Sequence, residues 1–170
     1  MRPGIQTERL TFRELSHDDL DFVASMLSDP DVMHFYPKRL TRDESRGWID
    51  KQLARYATDG YGLWLVSLVT TGEPVGQVGL VRQHVDDGHE PEMGWLLHRP
   101  YWGQGYATEA GQAVRDHAFA SLGLPYVISL IQPVNEPSRR VATRLAMRVE
   151  RRTMFHGYEH DVWRIATPKR

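Results

Sequence analysis

Apolar residues first recur at helical spacing at Leu20, Val23, Ala24 and Leu27, behind Ser16 and with Asp19 three residues further on, which predicts a capped amphipathic helix. A short strand, Leu10 to Arg13, precedes it, and "SDPD", Ser28 to Asp31, breaks it. Thr41 with Glu44 repeats the capping pattern ahead of "SRGWIDKQLARY" and predicts a second helix. The periodicity then changes. "LWLVSLV", Leu63 to Val69, and "VGQVGLVRQ", Val75 to Gln83, read as a hairpin whose turn carries Gly72 and Pro74. "DDGHEP" reads as a polar loop and "EMGWLL", Glu92 to Leu97, as the next strand. A helix over "YATEAGQAVRDHAFASLG" is closed by Gly123, and Tyr126 to Pro133 is β-branched and apolar as a buried strand should be. "NEPSRRVATRLA" is a further capped helix with Pro137 in its first turn, and "VERRTMF" with "DVWRIAT" can close the chain as an antiparallel pair. Strands and helices in this order predict an α/β (α+β) fold, with a mixed, largely antiparallel central sheet and helices on both faces. No repeat or linker interrupts residues 1–170, so one domain is expected.

Composition narrows the chemistry. Charged residues are 25% of the chain and nearly cancel, to a net of −1, so no global field argues for nucleic acid or an anionic membrane as partner. There is no cysteine, which removes disulfides, thiolate metal sites and a cysteine nucleophile together. The start "MRPGIQTERL" has no apolar signal core and no apolar run reaches membrane-spanning length, so a cytoplasmic protein is expected.

The most specific stretch is "HRPYWGQGYATEAGQAV", His98 to Val114. Flexible glycines stand where a strand ends and a helix begins, and a helix start carries unpaired N–H groups and roughly +0.5 of an elementary charge. Gly103 and Gly105 remove Cβ atoms that would hold a ligand off, and let the amides of Gln104 to Thr108 converge on one hollow fit for a pyrophosphate. A Walker loop would require Gly-Lys-Ser/Thr, and a dinucleotide fingerprint a third glycine where Thr108 stands, so both are disfavoured. A turn that binds nothing is the plain alternative.

"MGWLLHRPY" with "WGQGYATEA", followed some 30 residues later by "NEPSRRVATRLAM", resembles the GNAT superfamily of N-acetyltransferases in its RimJ/RimL-like branch. The resemblance extends through "IQTERLTFRELSHDDLDFVASMLSDPDVMHFYP" to nearly the whole chain. It implies a GNAT-like sheet and acetyl-CoA as donor. The pyrophosphate would lie on the loop Trp102, Gly103, Gln104, Gly105, Tyr106, Ala107 and Thr108, with Trp102 standing where the family has Gln or Arg. The strand of Glu92 to Leu97 would splay from that of Tyr126 to Pro133 and admit the pantetheine arm along Trp95, Leu96 and Leu97, with Asn135 touching the arm and Ser138 near the sulfur. Asn135 is equally an ordinary helix cap. The tyrosine that many members use as proton donor is absent from Val141, Ala142 and Thr143, which leaves Ser138 for that place. Ala146 stands where a helix-ending glycine is usual in the family.

An amine must lose a proton before it attacks a thioester. Glu92, which by strand alternation shares a face with Gly94 and Leu96, is the candidate base, a solvated sheet-edge carboxylate being its alternative. Without cysteine, and with no histidine near Ser138 in sequence, direct transfer in a ternary complex is expected. By the resemblance His34 and Tyr36 line the acceptor cleft, Trp48 packs in the core, and Arg139 with Arg140 either meets the cofactor's 3′-phosphate or forms a solvated face. Eight histidines include His84, His89 and His98 near the strand and His156 and His160 four apart, but none of these spacings makes a metal centre, and no metal is expected. "HVDDGHEPE", with Asp86, Asp87, Glu90 and Glu92, suggests an acidic rim that would attract a cationic primary amine, as would a peptide N-terminus or a small polyamine; a solvated loop is the alternative. A non-catalytic acyl-CoA-binding module is the rival function, and homodimer formation is left open.

Overall fold

The computed structural model describes residues 3–168; residues 1–2 and 169–170 lie outside the described residues. Seven strands form one sheet in the order β1-β2-β3-β4-β5-β7-β6, and every neighbouring pair is antiparallel except β4 with β5. The strands are β1 Leu10–Arg13, β2 Leu63–Leu68, β3 Pro74–Val85, β4 Gly88–Leu97, β5 Tyr126–Ile131, β6 Arg148–Phe155 and β7 Tyr158–Ala166. Helices α1 Leu20–Ser28 and α2 Arg42–Asp59 cover one face, and α3 Tyr106–Ala120 and α4 Glu136–Arg144 the other.

Local chemistry places each helix. Ser16 stands before a single 3-10 turn, His17–Asp19, and the α-helix begins only after it. The turn is held by the Asp19 carboxylate, which accepts from the Ser16 N–H (2.8 Å) and both Arg13 Nη groups (2.6 and 2.8 Å). Leu20, Val23, Met26 and Leu27 then form the buried stripe, joined by Ile49 of α2, Leu65 of β2 and Leu96 of β4. Thr41 and Glu44 make the reciprocal cap of α2, through Glu44 N–H to Thr41 Oγ1 and Thr41 N–H to Glu44 Oε2. The second core lies under α3 and α4 and includes Met93, Leu97, Val114, Ala142 and Leu145.

The stretch "DDGHEP" is not a loop. Asp86 and Asp87 alone make a tight turn, and Gly88 to Pro91 pair with β3 as far as Val85↔Gly88. Pro91 fits because β4 residues alternate in direction: the His98 N–H donates to Val75 of β3, so the N–H positions of odd-numbered residues, Pro91 among them, face away from β3 and a missing donor breaks no rung. The resulting β3–β4 arm folds over the far half of the sheet, where Val85 packs on Ile128 and Val162. Similarly β7 starts at Tyr158, three residues before the expected Asp161, because the turn at His156 and Gly157 is a two-residue hairpin.

Helix α4 ends in a reciprocal pair of bonds, Ala146 N–H to Thr143 O and Met147 N–H to Ala142 O, that places Ala146 at φ 63°, the left-handed conformation glycine usually supplies. The side chain is exposed, so its loss opens no cavity. An L-residue pays roughly 1–2 kcal/mol there, and glycine's greater freedom in the unfolded chain returns part of it, about 0.5–1 kcal/mol. Ala146→Gly should therefore raise the calorimetric melting temperature by about 1–4 °C; a fall would show that the turn is not strained.

Candidate active site

The central feature is the parting of β4 from β5, which share the single register pair Glu92↔Ile128. Past it, side chains replace rungs. Ser129 Oγ donates to Met93 O at 2.7 Å, and further along the Trp95 indole N–H donates to Ser138 Oγ on α4 at 3.3 Å. Because odd-numbered β4 residues face away from β3, the N–H and C=O of Trp95 and the N–H of Leu97 point into this gap without a strand partner. The Leu97 carbonyl is taken by the Trp102 indole N–H at 2.9 Å. Trp102 thus ties the glycine loop to the strand. The side chains of Leu96 and Leu97 are buried on opposite faces, leaving only their backbone to a ligand.

The loop has the expected form. Gly103 and Gly105 take φ 73° and 80°, Gly105 is the residue before α3, and the first helical bond runs from Glu109 N–H to Gly105 O. The amides of Tyr106, Ala107 and Thr108 therefore have no acceptor within the helix. A Cβ at Gly103 would meet nothing within 4 Å, and one at Gly105 only Arg9 Nη2 at 3.5 Å, so the space beside them is open and glycine is required there by φ rather than by crowding. Such an end accommodates an anionic group. The Gln104 side chain reaches only Pro100 O, at 3.3 Å and on the exterior.

Glu92 points to the α1–α2 face, as Leu96 does. Its carboxyl is pushed above the ordinary 4.5 by desolvation, against which the Gln83 side chain (2.8 Å), the Leu130 N–H and the positive charge of Arg55 favour the anion. Tyr36, a residue 39% exposed, has its hydroxyl pushed up to about 12 by desolvation and by the charge of Glu92. The segment carrying it is tied to the end of β5 by Gln132 Nε2 donating to Phe35 O at 2.9 Å. His34 is exposed and lies edge-on to Phe35. Trp48 is a packing residue whose indole donates to the buried Gln77 at 2.9 Å.

Several of the expected residues have contacts that the sequence does not show. Two members of the acidic rim are tied to one cation: Arg151 pairs with Glu90 (2.7 Å) and Asp86 (3.2 Å), and Thr153 also donates to Asp86. Asn135 acts as the helix cap, accepting from Ser138 N–H at 3.2 Å through Oδ1 and leaving its amide NH2 uncommitted. Arg139 and Arg140 both pair with Glu136, one turn back on α4. The rings of His84 and His89 pack on each other across β3 and β4, and His98 packs on Phe22. Among the described residues no three His, Asp or Glu side chains gather as a metal centre, and no helix is long and apolar enough to cross a membrane. Gln83, Ser129 and Gln132 escaped the sequence reading, since each matters only through a partner distant in sequence.

Residues 9–148 match the acetyltransferase (GNAT) domain family, and the chain belongs to that family. It is 30% identical over 147 residues to the uncharacterized N-acetyltransferase YnaD of Bacillus subtilis (strain 168), covering 86% of this chain and 83% of that one. The crystal structure of an acetyltransferase from Agrobacterium tumefaciens str. C58 superposes with a TM-score of 0.83 at 32% identity, over 96% of this chain and 94% of that one. RimL, a ribosomal L7/L12 alpha-N-protein acetyltransferase in complex with coenzyme A, shares the fold with a TM-score of 0.76 at 15% identity, over 94% and 95% of the two chains. The protein is an acetyl-CoA-dependent acetyltransferase, and the reading as a non-catalytic module is set aside.

Gln83 favours the charged form of Glu92, so Gln83→Met, which keeps length and removes the donor, should raise the Glu92 pKa further. Carboxyl titration by carbon NMR reads this directly. An unchanged or lower value would show that the 2.8 Å bond does not set the charge of Glu92.

Proposed function

We propose that the chain folds as one acetyltransferase domain of the RimJ/RimL-like branch, which transfers the acetyl group of acetyl-CoA directly to a primary amine through the β4–β5 gap. One observation carries this reading: the gap has a carboxylate of raised pKa, Glu92, on the α1–α2 face, and a hydroxyl, Ser138, reached from the α4 side. Acetyl-CoA supplies an activated thioester. Trp95 C=O and N–H and Leu97 N–H offer the rungs that β5 does not, so an extended amide-bearing arm can pair there as a strand would. The same strand amides can hold the thioester oxygen as it gains charge. The loop from Trp102 to Thr108 receives the diphosphate on its amides, and the NH2 of Asn135 is free for the arm.

Glu92 takes the proton of the amine, directly or through one water, and its raised pKa suits it to hold that proton. Ser138 donates a hydrogen bond to the departing thiolate. The Trp95 N–H donates to Ser138 Oγ, which leaves the hydroxyl proton available and strengthens it as a donor. A serine nucleophile would need an adjacent base, and the partner of Ser138 Oγ is itself a donor, which supports direct transfer. The amine enters past Tyr36 and His34. Arg151 offsets only one of the charges of Asp86, Asp87, Glu90 and Glu92, so the rim keeps an attraction for a cationic amine, a peptide α-amine or a small primary amine.

A panel of peptides, polyamines and aminoglycosides offered with acetyl-CoA, read as free thiol released, tests the function; binding of coenzyme A with no turnover on any amine would overturn it. On an active acceptor, kcat/KM should fall on the acid side with a midpoint above 4.5, because Glu92 must be deprotonated to act. Glu92→Gln should remove that limb and lower turnover about 10²-fold or more, with coenzyme A affinity nearly unchanged. A full-rate variant with the parent pH profile would exclude Glu92. Gln104→Ala should bind coenzyme A normally, whereas Gly105→Val, strained at φ 80° so that the loop backbone must shift, should bind it about tenfold or more weakly in calorimetry. Equal affinities would contradict the cradle.

A further inference from the structure

We infer that Arg9, just before β1 and about a hundred residues from the glycine loop, is a positioning residue that sets the loop for the cofactor's diphosphate. The inference rests on the donor site proposed above. Arg9 Nη1 donates to Gln104 O at 2.9 Å, its Nε pairs with Glu109 Oε2 at 2.6 Å, and its guanidinium lies 4.4 Å over the Tyr106 ring. In a trans peptide the C=O and the following N–H point in opposite directions. By drawing the Gln104 carbonyl to its own side, Arg9 turns the Gly105 N–H the other way, toward the hollow that the first amides of α3 face.

The second effect is electrostatic. Glu109 lies in the first turn of α3, where its charge suits the helix but opposes an anionic ligand at the same end. Both of its oxygens are occupied: Oε1 accepts from Thr7 Oγ1 (2.6 Å) and the Arg9 N–H (3.1 Å), and Oε2 from Arg9 Nε. Arg9 thus offsets a negative charge beside the diphosphate and orients one of the amides that receive it. A lysine could offset the charge but could not hold both Glu109 and Gln104 O from one planar fork.

The test compares acetyl-CoA with S-acetylpantetheine, which keeps the thioester and arm but lacks the diphosphate. The protein is used as the intact chain. Arg9→Gln should lower kcat/KM for acetyl-CoA about tenfold or more, chiefly through KM, and for acetylpantetheine by less than about twofold. Arg9→Lys should show the same donor selectivity with a smaller loss, and it decides the matter if Arg9→Gln does not fold. In Arg9→Gln, Glu109→Gln, part of the acetyl-CoA loss should be regained, since no carboxylate is left uncovered. Equal losses with both donors, or no loss with either, would overturn the positioning role and reduce Arg9 to a fold contact. If the unmodified protein itself handles both donors with the same KM, the diphosphate cradle fails before any variant is made, and Arg9 fails with it.

Discussion

The rest of the molecule depends on one interrupted ladder. A sheet normally satisfies every central backbone group with its neighbour, and an unpaired one inside a protein costs about as much as a lost hydrogen bond. Here β4 and β5 meet at Glu92↔Ile128 and then part, so the interior of the sheet holds an edge. The opening is propped by side chains rather than left to collapse: Ser129 on Met93 O, Trp95 on Ser138, and Trp102 on Leu97 O. What is left free, Trp95 and the Leu97 N–H, is a short template for an amide-bearing ligand.

Two half-sheets joined at one rung need holding from outside. On the α3 side, Leu145 at the end of α4 packs against Gly111 of α3, where a Cβ would come within 2.8 Å of it. On the other side, the β3–β4 arm reaches across the junction and is fastened by Val85 on Ile128 and Val162, and by Arg151 on Asp86 and Glu90. Residues that read as a polar, acid-rich loop are therefore the strap that keeps the divided sheet together. The loss of water around Glu92 belongs to the same arrangement, because Gln83 on that arm and Leu130 on β5 both contact its carboxyl.

Much of this was legible in the chain, for reasons that are local. The cap at Thr41, the glycines at Gly103 and Gly105, the cap at Asn135 and the apolar periodicity of α1 each act within a few residues, and the structure has each where the pattern puts it. The GNAT resemblance added what periodicity cannot, namely that β4 and β5 would separate. The arm was misread because His84, His89 and Glu90 are polar strand residues lacking the usual alternation, and because Pro91 normally argues against a strand interior. Arg9, Glu109 and Arg151 were illegible for a different reason: each finds its partner 60 to 100 residues away, and a charged residue in sequence carries no sign of whom it will meet.

The central claim is that the gap between β4 and β5 receives the arm of coenzyme A as a missing strand, with its diphosphate on the start of α3. Amide hydrogen exchange with and without coenzyme A tests it most directly, resolved by residue in nuclear magnetic resonance spectra. The account predicts new protection at Trp95 and Leu97 of β4 and at Gly105 to Thr108. Protection confined to the outer face of α4, around Arg140 and Arg144, with those amides unchanged, would contradict it.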